Sequence, residues 1–173
     1  MNINEQARNN GVFLGIILVV FTIVLSYVNP RVFLTTRSFL LIVPFIIILV
    51  KNAFDIRKSK GGFIGFKKLF LYSFTTSAIA ITLCTAFEYV LFNHLYPELV
   101  EIYREIGLEA LEQSKSFFND QTIEKSRAQF EKENLYGVTE VISLYLTRLL
   151  VPGALLSLLV AGILKKSKPI INT

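Results

Sequence analysis

The chain has 173 residues, 53% of them hydrophobic, and its 18 Lys and Arg against 13 Asp and Glu leave a net charge of +5. Its mean hydropathy of +0.54 excludes an ordinary soluble globule, because the apolar residues come in blocks too long for a small core to hide. One cysteine and one histidine exclude an intramolecular disulfide, a cysteine-based metal site and most histidine-dependent hydrolase schemes.

The first apolar block runs from Gly11 to Val28, 18 residues without a charge. That is long enough to cross a hydrocarbon core of about 30 Å at about 1.5 Å per residue. A secretory signal is the competing reading. The leader has only Arg8, offset by Glu5, and Ser26-Tyr27-Val28 lacks a small-x-small cleavage site, so a retained span is expected. Asn29-Pro30 then stops the helix, since proline disfavours helix at the residue before it.

A second block, Phe39 to Val50, reaches spanning length when extended back through Val32, Phe33 and Leu34. Pro44 in its middle is tolerated as a membrane kink, and Arg37 is expected to snorkel to the outer interface. The bulky Leu, Ile, Val and Phe of this span suit a lipid-facing helix. The third block, Leu69 to Tyr96, carries Glu88 and His94, and the fourth, Val141 to Leu164, carries Arg148 and Pro152-Gly153.

Charge sets the threading. The connection from Lys51 to Lys68 holds Lys51, Arg57, Lys58, Lys60, Lys67 and Lys68 against Asp55 alone, and Lys165, Lys166 and Lys168 follow the last block. Residues 93–140 hold ten acids and five bases. The positive-inside bias therefore puts the second loop and both termini in the cytoplasm and residues 93–140 in the periplasm. Within this outer stretch Pro97, Glu98 and Glu101 mark a helix start. Leu99, Ile102, Tyr103, Ile106, Ala110 and Phe117 recur at three- and four-residue steps along one face. Asn119-Asp120 offers a turn and a cap before a second, more polar helix with Ile123 and Phe130 a heptad apart. The expected result is an extramembrane helical hairpin. It is read as a cap over the bundle, or as a docking face formed by Leu99, Ile102, Tyr103, Ile106 and Phe117.

Ionisable residues inside spans are costly and usually pair or line a cavity. Glu88 lies about 20 residues from Lys68, roughly 30 Å of helix, and Arg148 about 17 residues from Lys165, roughly 26 Å. They are expected at similar heights on antiparallel neighbours, as an ion pair whose two Gln replacements destabilise the fold alike. His94 and Glu98 stand at i,i+4, but two ligands make no selective metal site and Pro97 lies between them.

Small residues form stripes that let membrane helices approach closely. These are Ser73, Ser77, Ala80 and Cys84 on the third span, Gly153, Ser157 and Ala161 on the fourth, and Gly11 and Gly15 on the first. They are read as packing within one bundle, or as a homo-oligomer seam. Cys84 falls inside the stripe and reads as a small apolar packer. Lys60 to Lys68 is glycine-rich but lacks the Gly-Lys-Ser/Thr ending of a phosphate loop. No catalytic, metal or cofactor-binding residue is expected, and a basic loop this short offers no nucleic-acid interface.

The chain resembles a bacterial membrane-protein family, domain of unknown function 4199. The resemblance is carried by Asp55-Ile56-Arg57-Lys58, Gly62-Phe63-Ile64-Gly65-Phe66-Lys67-Lys68-Leu69-Phe70, Tyr96-Pro97-Glu98 and Ala161-Gly162-Ile163-Leu164-Lys165-Lys166. It implies a four-span protein of Gram-negative inner membranes, with no activity and no site residues to carry over.

The expected fold is an all-α membrane protein with four transmembrane helices, near 11–28, 32–52, 69–93 and 140–164, and a helical hairpin over 97–135. The expected role is a non-enzymatic structural or accessory subunit with no cofactor. Its partners are the bilayer and either another protein or a second copy. The alternative is a small transporter or channel component using Glu88 and Arg148.

Overall fold

The computed structural model describes residues 2–114, 119–132 and 135–166. In chain order these form α1 (Ile3–Val28), α2 (Pro30–Ser59), α3 (Phe66–Leu95), α4 (Glu98–Gln113), α5 (Asp120–Lys132) and α6 (Val138–Leu164). Helices α1, α2, α3 and α6 are long and apolar enough to cross a bilayer. The protein is an all-α, multi-pass membrane protein.

Local chemistry explains the boundaries. Asn29 closes α1 and opens α2: its backbone N–H bonds the Leu25 carbonyl, its side chain accepts from Val32 N at 3.0 Å, and Pro30 takes the first helical position. At the other end of α2, Gly61 and Gly62 adopt φ of 71° and 85°. Their N–H groups return to the carbonyls of Lys58 and Arg57. This is the glycine-terminated reversal that satisfies the last carbonyls of a helix, and a side chain there would be strained. The loop is then pinned to the end of α6 by paired bonds between Ile64 and Lys166, at 2.9 and 3.0 Å.

Helix α3 is the hub, packing against α1, α2 and α6. Its small-residue stripe makes this close approach possible: Ser73, Ser77 and Ala80 are fully buried, as are Ser157 and Ala161 on α6, and Gly153 is buried against Ile81. Ser77 and Ser157 meet oxygen to oxygen at 3.4 Å, and the Thr76 hydroxyl donates to the Ala7 carbonyl across the α1–α3 seam. The stripe is therefore covered within the chain itself. Lipid tails are as apolar as leucine, so tight packing and interhelical hydrogen bonds supply much of the association here.

Gly11 tests that argument. A Cβ built there would lie 2.9 Å from both the Ile79 Cβ and the Thr76 carbonyl oxygen, neither of which is a flexible end. Gly11→Ala is expected to push α1 off α3 and cost about 1–3 kcal/mol. Gly162→Ala, where nothing lies within 4 Å, is neutral or mildly stabilising. Thermal unfolding in detergent separates the two, and equal melting temperatures would refute the close-approach account.

Two apolar clusters divide the molecule. The inner one runs along the spans and includes Leu14, Leu18, Phe45, Leu49, Leu69, Tyr72, Ile81 and Cys84. The outer one gathers Phe33, Leu34, Leu91, Phe92, Leu99 and Tyr136. Helix α4 packs over it, and α5 runs antiparallel to α4. Gly107 gives room for the Phe130 ring, Arg104 donates to the Phe130 carbonyl, and Arg127 pairs with Glu112. Asn119 caps α5 by accepting from Thr122 N at 2.9 Å, and Ile123 is buried.

Candidate functional site

Glu88 sits on α3 just before that helix widens into a π-helical turn at Leu91–Leu95. Arg148 on α6 immediately precedes a second π-helical segment, Leu149–Leu155, which contains Pro152. Proline has no N–H to give the preceding turn, and such widened turns reorient the side chains beside them. The two residues meet: Arg148 Nη1 lies 2.7 Å from Glu88 Oε2 and 3.4 Å from Thr85 Oγ1. The Glu88 side chain is 1% exposed and that of Arg148 is 21% exposed. The Cys84 thiol donates weakly to Glu88 Oε1 at 4.0 Å and is itself buried.

Sequence reasoning missed a third member. Arg37 was expected to snorkel outward; instead it is 9% exposed and boxed by aromatic rings. Its guanidinium carbon lies 5.6 Å from the Phe92 ring centre and 5.4 Å from those of Tyr103 and Tyr136, and Nη1 donates to the Tyr136 hydroxyl. Ring faces carry negative charge density that substitutes for lost water around a cation. Phe92 and Tyr136 stack nearly parallel at 3.7 Å, and Tyr103 meets Tyr136 edge-on at 5.9 Å. Glu88 is also within electrostatic reach of Arg37. Arg148 is thus paired directly with the Glu88 carboxylate, while Arg37 is held by the aromatic box beside it.

Beside them is a cavity of about 340 Å³. Leu18, Ile81, Cys84 and Thr85 form its back wall; α2 contributes Arg37, Ser38, Leu41, Ile42 and Phe45, and α6 contributes Leu144, Thr147, Arg148, Val151 and Pro152. Helix α2 packs on the inner segment of α6, Leu156–Leu164, so the cavity occupies the gap higher up between these helices. Ser38, Thr147 and Val151 are exposed at its mouth.

The remaining candidates fall elsewhere. Leu99 is fully buried in the outer cluster, and Ile102, Tyr103 and Ile106 pack against it. The stripe read as a partner face therefore turns inward, onto α2 and the end of α3; Phe117 lies outside the described residues. His94 is exposed and sits edge-on to Tyr89 at 6.3 Å. The Tyr96-Pro97 break separates its turn from α4, so His94 and Glu98 share no continuous helix.

Comparison with known families adds one result. A model described as a protein of unknown function, DUF4199, matches residues 9–166. The chain belongs to that family. Neither curated proteins nor solved structures gave a match. In this DUF4199 protein the matched region takes in α1 from residue 9 onward, the other three long apolar helices, the segment between α3 and α6, and Arg37, Glu88 and Arg148.

Proposed function

We propose that this DUF4199 protein is a non-enzymatic accessory subunit of the inner membrane that presents the outward surface of α4 and α5 to a protein partner. Both termini would be cytoplasmic and residues 93–140 periplasmic. The orientation rests on the six bases between Lys51 and Lys68 and on the loop's pairing with Lys166 at the same end.

One observation carries the reading. With its apolar stripe docked on its own bundle, α4 leaves Glu98, Glu101, Glu105, Glu109 and Glu112 exposed. Arg31 reaches Glu109 from α2, and Arg104 lies 3.4 Å from Glu101. The surface is held in place and acidic, which favours a basic partner surface through charge complementarity. No nucleophile–base set is on view among the described residues of the site, where Glu88 is held in an ion pair with Arg148.

Photo-crosslinkers placed at Glu98 and Glu105 in native membranes are expected to capture one stoichiometric protein, and one at lipid-facing Val43 is not. Adducts to lipid alone, or equal capture from all three positions, would remove the reading. A second reading, a small transporter or channel component, draws on the cavity beside Glu88 and Arg148.

A further inference from the structure

The cavity between α2 and α6 combines a mainly apolar lining, an exposed apolar surround, and two arginines, Arg37 and Arg148, among its lining residues. We infer that it seats one anionic lipid of the outer leaflet, its acidic headgroup on Arg37 and Arg148 and an acyl chain along Leu18, Leu41, Ile42, Phe45 and Ile81. This requires neither a protein partner nor flux, and only its assignment to the outer leaflet rests on the orientation proposed above.

Three observations lead to it. The first is charge: Glu88 is taken up by its ion pair with Arg148, and Arg37, held by the Tyr136 hydroxyl and three aromatic rings, has no ion-paired acid of its own among the described residues. Unbalanced charge in a low-dielectric setting is costly, and an arriving anion removes the imbalance. The second is donor geometry. Among the described residues, the hydrogen bonds of both guanidiniums run through Nη1, to Tyr136 from Arg37 and to Glu88 and Thr85 from Arg148. The planar fork has further N–H groups suited to phosphate or carboxylate oxygens.

The third is access. Ser38 and Thr147 are exposed on opposite sides of the mouth, and the surface around it is apolar, with Leu40 37%, Val43 56%, Leu146 50% and Leu150 65% exposed. A soluble anion would have to cross that surface, whereas a lipid already resides in it. Arg37 lies about 14 residues from Lys51, roughly 21 Å of helix, which places the headgroup site in the outer half of a bilayer about 30 Å thick.

The test is native mass spectrometry of the full chain in mild detergent, titrated with phosphatidylglycerol, phosphatidylcholine or inorganic phosphate. Both lipids carry the phosphate, but the choline ammonium of phosphatidylcholine cancels its charge, so phosphatidylglycerol is expected to be retained roughly tenfold more strongly. Inorganic phosphate should neither bind nor displace it. Ser38→Trp and Thr147→Trp block the mouth from opposite walls and leave the arginines intact. Each should abolish selective retention while keeping the wild-type melting temperature in lipid-free detergent. Lipid held only by the basic loop would survive both changes. Equal retention of the two lipids, displacement by phosphate, or undiminished retention in whichever tryptophan variant folds would each overturn the assignment.

Discussion

Replacing Glu88 by Gln is expected to cost about 3–5 kcal/mol, the range for breaking a buried ion pair by removing one partner. The loss exceeds that of Arg148→Gln for a structural reason. Removing the carboxylate leaves both Arg37 and Arg148 without an anion in the described cluster, whereas removing Arg148 leaves Glu88 still within reach of Arg37. The Arg148 side chain is also 21% exposed against 1% for Glu88, so its end of the pair loses less solvation. The two replacements should therefore differ, contrary to the equal effects that an isolated pair implies. The double replacement should recover part of the loss, because the pair's coupling is no longer counted twice. Thermal unfolding of the four proteins in one detergent measures this. Equal and small losses would remove Arg37 from the cluster and the cluster from the stability of the fold.

The difference between pair and triad shows which features the sequence expresses. Span number and approximate limits follow from hydropathy alone, because a bilayer demands continuous apolar length whatever packs against it. The heights of Glu88 and Arg148 could be counted from the boundary lysines, since a helix converts residue number into distance. Arg37 could not be placed in that way. Its environment is assembled from Phe92, Tyr103 and Tyr136, all far along the chain, and an arginine near a span end looks the same whether it snorkels or is boxed. Amphipathic periodicity has a similar blind spot. It established that Leu99, Ile102 and Ile106 share a face, but not that this face packs on α2 and the end of α3. The π-helical turns left only Pro152 as a local trace, because hydropathy does not distinguish their spacing from that of an α-helix. The cavity beside Arg148 depends on the geometry of those turns and of α2, and so had no signature in the sequence.

Tyr136→Ala is expected to cost about 3–5 kcal/mol, the range for deleting a large buried aromatic. Its effect should be concentrated in the outer hairpin. The Tyr136 ring stacks on Phe92, meets Tyr103 on α4 and receives the Arg37 hydrogen bond, while its carbonyl accepts from Asn93 at 3.0 Å. One residue thus joins α2, α3, α4 and the approach to α6. Loss of the ring should open α4 and α5 locally before the spans unfold, as faster proteolysis of residues 97–135 at a temperature where the transmembrane helices remain intact. Tyr136→Phe keeps the stacking and removes the acceptor of a buried cation's hydrogen bond, at about 1.5–3 kcal/mol. The pair of variants also predicts behaviour in alkali. Burial pushes the Tyr136 phenol up, with Arg37 opposing the shift. A raised folded-state value favours the neutral phenol in the folded protein. Its stabilising contribution is therefore complete below the ordinary value of about 10 and is lost as pH rises through the folded one. Wild-type stability should consequently fall more steeply above about pH 10 than that of Tyr136→Phe, which has no phenol to ionise at that position. Parallel curves for the two proteins would show that the hydroxyl is solvated, and would dissolve the aromatic box around Arg37 along with the explanation for its burial.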